Sequence, residues 1–90
     1  MSSVNIGVLI SGGGTNLQAI IDNVNLGNIN GEIKLIVSNK KDAYGLIRGN
    51  LAGIETLYID EKLFKTNKEY DAKIIKEFKS RNIDLVVLAG

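Results

Sequence analysis

Apolar residues along this chain fall into two alternating patterns. Four short runs, at residues 5–10, 32–37, 55–59 and 85–89, are nearly continuous, which at this length predicts strands. Between them, three stretches space their apolar residues as one face of a helix. Leu17, Ile20, Ile21 and Val24 form the first face. Ala43, Leu46, Ile47 and Leu51 form the second, and Tyr70, Ile74, Ile75 and Phe78 the third. Residues 25–31 (NLGNING) read as a turn cluster and 60–65 (DEKLFK) as a loop.

Start and stop signals sharpen the helices. Thr15 with Gln18, and Thr66 with Glu69, have the spacing of a capping box. Asp42 is placed to cap the second helix, and Gly53 to end it in a left-handed conformation. Gly45 and Gly49 weaken that helix by about 1 kcal/mol each relative to alanine. Lys76, Lys79 and Arg81 gather where the third helix ends, which its dipole favours.

The order β-α-β-α-β-α-β predicts an α/β, Rossmann-like parallel sheet with helices on its faces. A strand order of 3-2-1-4 makes the first strand central, with the switch point between strands one and four. The glycine loop and Gly90 are then expected on opposite sides of one crevice. The last run, LVVLA, has no polar residue and reads as a strand buried on both faces. Such a strand needs neighbours, so the sheet is expected to be incomplete and residues 1–90 to be the N-terminal part of something longer.

Composition narrows the chemistry. The chain has 90 residues, 44% hydrophobic, with a net charge of +1. Its eleven Lys and Arg are interspersed with ten Asp and Glu, which gives no basic patch for nucleic acid. With no cysteine or histidine, disulfides, the usual metal sites and an imidazole base are absent. The N-terminus lacks the pattern of a signal peptide, and no run approaches a membrane span. A cytoplasmic protein follows as the expectation.

In an open parallel sheet, ligands bind outside the carboxyl ends of the strands. The richest such exit is Ser11, Gly12, Gly13, Gly14, Thr15, Asn16. Glycines there let backbone amides approach a ligand, and the following helix aims free N–H groups and a positive dipole end at it. That pattern suits a phosphate or sulfate. It is not a Walker A loop, because no Gly-Lys pair exists. It is half a dinucleotide fingerprint: Leu17 takes the third glycine's place, and Ser38 and Asn39 stand where an acidic residue is required.

The segments ISGGGTNLQAII, VSNKKDAYGL, YDAKII and DLVVLAG are together similar to the successive N-terminal motifs of the phosphoribosylglycinamide formyltransferase family. The resemblance runs from the first strand to Gly90. It implies a folate-dependent enzyme of purine biosynthesis that passes a formyl group from 10-formyltetrahydrofolate to the amine of glycinamide ribonucleotide. The family's Gly-Ser/Thr-Asn triplet, which holds the substrate phosphate, falls on Gly14, Thr15 and Asn16, beside Gly13. The segment after V-V-L-A-G helps to hold the folate, and Gly90 is its threshold. The family's Asn-x-His pair and distant Asp lie beyond the equivalent of Gly90. No catalytic residue is therefore expected in this chain, which alone should be inactive. The folate is co-substrate of the complete enzyme rather than of these residues by themselves.

Other residues have simpler readings. Asp84 is a turn residue at the far end of the sheet, and Asp60 lies on the ligand rim. Lys40 and Lys41 are solvated, and Tyr44, Tyr70 and Phe78 pack on helix faces. Ser38 and Asn39 support the site, orienting the phosphate loop from the second strand's exit, with Ser11 and Gly12 beneath it. Two rival functions remain. Formyltetrahydrofolate deformylase would hydrolyse the same donor, but the early first strand leaves no room for a preceding regulatory domain. A non-catalytic anion-binding or assembly module would self-associate through the free edge of the fourth strand.

Overall fold

The computed structural model describes residues 3–90. Its strands are β1 (Val4–Ile10), β2 (Gly31–Ser38), β3 (Thr56–Tyr58) and β4 (Leu85–Leu88). They alternate with helices α1 (Thr15–Asn25), α2 (Tyr44–Leu51) and α3 (Asn67–Ser80). All strand pairs are parallel, as the alternation of patterns predicts, and their order β3-β2-β1-β4 is that of the Rossmann-like reading.

Two cores lie on opposite faces of this sheet. Ile6, Val8 and Ile10 of β1 meet Leu17 and Ile21 of α1 on one side, with Ile33, Ile36, Ala43 and Ala89. Leu35 and Val37 meet Ile59 and the α3 residues Ile74 and Phe78 on the other. The β1–β2 register slips between Ile6 and Gly7. This bulge is why Ile33 and Leu35, two apart in sequence, face different cores. Gly7 matters for the same packing, because a Cβ there would collide with the Phe78 ring. No described helix is long and apolar enough to cross a membrane.

Several local expectations are corrected. The residue before α1 is Gly14, at φ 81°, and no side chain caps that helix. Thr15 is instead its first residue, and Gln18 donates to Asp22. Asp42 does not cap α2 either; Ala43 takes the N-cap position without a side-chain bond. Of the predicted α2 face, Ala43 and half-buried Leu46 pack on the core, Ile47 and Leu51 are exposed, and the buried Gly45 and Gly49 complete the contact. These glycines are contact points: a Cβ on Gly45 would strike Ile10, and one on Gly49 would strike Ile36. Gly53 does end the helix in the left-handed region, at φ 74°.

On the other face, Thr66 caps α3 by accepting from the Glu69 amide at 3.2 Å. The return bond goes one residue further back than a capping box requires, from Lys65 N to the Glu69 carboxylate. The stretch before α3 is partly ordered as a 3₁₀ turn, Glu61–Leu63, capped by Asp60. Ile75 is exposed. So is Tyr44, whose ring lies 5.0 Å from the Arg48 guanidinium. Among the described residues β4 pairs with β1, and Leu85, Val86 and Leu88 are 49%, 46% and 78% exposed rather than buried on both faces.

Candidate functional site

The carboxyl ends of all four strands open on one rim, and the turn from β1 to α1 occupies its middle. Ser11 begins that turn, with its N–H and hydroxyl each donating to the Gly90 carbonyl at 2.9 Å. Gly90 therefore sits against the glycine loop, not across a crevice from it.

The three glycine carbonyls are all engaged. Gly12 O accepts from the Gly45 amide at 3.3 Å. Gly13 O accepts from Arg48 Nε at 2.9 Å. Gly14 O accepts from the Gln18 amide at 2.8 Å. In a planar trans peptide the carbonyl and the next residue's N–H point in opposite directions. Fixing these three carbonyls therefore aims the amides of Gly13, Gly14 and Thr15 away from α2 and from the body of α1. Those amides and that of Asn16 donate to no other described residue. The positive end of α1 adds to the same spot.

Space around the loop is set by its glycines. Gly14 is buried, and a Cβ on it would stand 2.6 Å from the Gly45 Cα. The left-handed turn and the close approach of α2 both require glycine there. Gly13 has nothing within 4 Å of a Cβ position, and Thr15 and Asn16 are exposed.

A hollow of about 650 Å³ opens beside the loop, within the range of small-molecule sites. Its lining includes Ser11, Gly12 and Gly13 from the loop, Asn39, Lys40 and Tyr44 after β2, and Tyr58 and Asp60 after β3. A second hollow of about 320 Å³ lies by Gly90, between Asn39, Tyr70 and Leu88; it too is of ligand scale. Burial pushes the Tyr58 phenol up, with Asp60 reinforcing it, and does the same to Tyr70, helped by Glu61 and Asp71. Both phenols stay protonated at neutral pH.

Of the two residues at the exit of β2, Asn39 lines both hollows together with Ser11, and Ser38 turns back on its own strand end. The Ser38 hydroxyl donates to Lys40 O and accepts from Lys40 N, both at 3.0 Å. It closes the exit turn of β2 and makes no hydrogen bond to a glycine-loop residue. Asn39 Oδ1 is buried with no partner among the described residues. The residue that sequence patterns missed is Arg48. It bonds the loop from 35 positions away, and only the packing of α2 brings it there. No group of three or more metal-ligating side chains occurs among the described residues.

Compared with known proteins, residues 4–90 match the formyl transferase family model. The phosphoribosylglycinamide formyltransferase of Escherichia coli is 46% identical over 87 residues, covering 97% of this chain and 41% of that protein. The enzyme of the same name from Dictyostelium discoideum is 50% identical, covering 96% and 46%. Glycinamide ribonucleotide transformylase 1 of Symbiobacterium toebii superposes with a TM-score of 0.96 at 42% identity, over 99% of this chain and 42% of that one. The Coxiella burnetii phosphoribosylglycinamide formyltransferase, solved in complex with CHES, gives 0.92 at 41% identity, over 98% and 41%. The chain thus spans less than half the length of the relatives it matches.

Proposed function

The chain belongs to the formyl transferase family, and from that premise we propose that its glycine loop holds the phosphate of glycinamide ribonucleotide for formyl transfer to that substrate's amine. The observation that carries this reading is the set of unpartnered amides at Gly13, Gly14, Thr15 and Asn16, with the loop's carbonyls engaged elsewhere. A phosphate monoester offers these amides charged acceptors, and hydrogen bonds to an ion are about twice as strong as neutral ones. The Thr15 hydroxyl and Asn16 amide stand exposed at the helix start as further donors. Ser11 and Gly12 anchor the loop below them.

Phosphate binding here serves the chemistry from a distance. Holding the non-reacting end of the substrate fixes where its amine lies and makes the attack effectively unimolecular. The family implies a folate-type formyl donor, which we read as 10-formyltetrahydrofolate. Gly90, at the threshold of the donor's segment, has its carbonyl engaged by Ser11. Attack of an amine on a formyl group also needs oxyanion donors and a proton acceptor, and the chain has no histidine. Its role in the reaction is to anchor and orient substrate, and the ninety residues by themselves are expected to give no formyl transfer.

Calorimetric titration of the chain tests the assignment. Heat is expected with glycinamide ribonucleotide and not with the corresponding nucleoside that lacks the phosphate. Equal responses to the two, or none to the ribonucleotide, would contradict it.

A further inference from the structure

We propose that Arg48 is a positioning residue of the phosphate site, holding the glycine loop in the conformation that presents its amides. The proposal rests on reading that loop as the phosphate site. Arg48 lies on α2 and is half-buried. Its Nε donates to Gly13 O at 2.9 Å and its Nη1 to Gln18 Oε1, on α1, at 3.2 Å. Its Cδ lies 3.2 Å from the place a Cβ on Gly14 would take, and its guanidinium stacks 5.0 Å from the Tyr44 ring. One side chain therefore fixes the Gly13–Gly14 peptide plane, packs against the left-handed glycine and ties the loop to the first turns of α1. The adjacent plane is fixed by the same helix, through Gly45 N and Gly12 O.

This geometry requires arginine and not merely a cation. A guanidinium offers donors in a rigid plane that can bridge two acceptors while stacking on an aromatic ring; an ammonium is a point charge. Released from Arg48, the Gly13 carbonyl is free to rotate toward the anion. It would then replace an attractive N–H with a repulsive oxygen.

The chain is titrated with inorganic phosphate, as wild type, Arg48→Lys and Arg48→Met, and the backbone amides of residues 13–16 are followed by NMR. Arg48→Met is expected to weaken phosphate binding about tenfold or more, the scale of one charged hydrogen bond. Arg48→Lys, which keeps the charge, should fall well short of restoring it. Without phosphate, the Gly14 and Thr15 amides should shift in both variants. In the wild type, the Arg48 Nε proton should exchange slowly with water.

Wild-type phosphate affinity and unmoved loop amides in Arg48→Lys would overturn the proposal and leave the phosphate site standing. No response of the wild type to phosphate, with loop amides displaced in both variants, would remove the phosphate reading and keep Arg48's hold on the loop. If Arg48→Met fails to fold, the wild-type proton decides: exchange as fast as in free arginine contradicts the proposal.

Discussion

Gly14 and Gly13 are neighbours with opposite tolerances. A methyl group on Gly14 meets the Gly45 backbone at 2.6 Å, in a residue already at φ 81°. Gly14→Ala is expected to cost about 2 kcal/mol or more in urea unfolding, from left-handed strain and overpacking together. Gly13→Ala meets nothing within 4 Å and should leave stability within about 1 kcal/mol of wild type. Equal losses at the two positions would argue against this loop geometry. The glycine cluster, its place after the first strand and the helix behind it were legible in the sequence. The clamp on it was not, because Arg48 and Gly45 reach the loop only through the close approach of α2. The same two α2 glycines read as weak points in a linear pattern, although their missing side chains are what admit the helix to the sheet.

Two helices carry the same Thr-x-x-Gln/Glu start, and only one uses it. Thr66 accepts a bond from Glu69 N, whereas the Thr15 side chain caps nothing. Thr66→Ala should therefore lower stability by about 1 kcal/mol, and Thr15→Ala should leave it nearly unchanged while weakening the response to phosphate. Chemical denaturation of both variants checks this. Periodicity and capping pattern locate both helices; which residue becomes the N-cap depends on the turn before it, and at α1 left-handed Gly14 takes that place.

The end of α3 is tied down by charge. Arg81 bridges Glu55 and Glu77 at 2.6 and 2.9 Å. The Arg81 hydrogen bond holds the Glu55 carboxyl below its ordinary 4.5, and Lys73 and then Arg81 do the same for Glu77. A carboxyl whose folded pKa is depressed stabilises the fold above its unfolded value and loses that contribution as pH falls through the folded one. Thermal melts should thus drop on acidification below about pH 4.5, and Arg81→Met should make that drop shallower while lowering the melting temperature at pH 7. A pH profile unchanged by the substitution would contradict the tie.

At the scale of the molecule, the alternation of runs and stripes carried the parallel pairing, and the Rossmann-like reading carried the strand order. Leu85, Val86 and Leu88 leave an apolar edge open, and open edges invite pairing. Sedimentation at rising concentration is expected to show association that Val86→Lys suppresses; a monomer at every concentration would exclude it. The central claim is that the turn from β1 to α1 is a phosphate cradle, and amide NMR during titration with inorganic phosphate tests it most directly. Gly13, Gly14, Thr15 and Asn16 are expected to shift first and saturate together. Shifts confined to surface lysines, with those four amides unmoved, would contradict it.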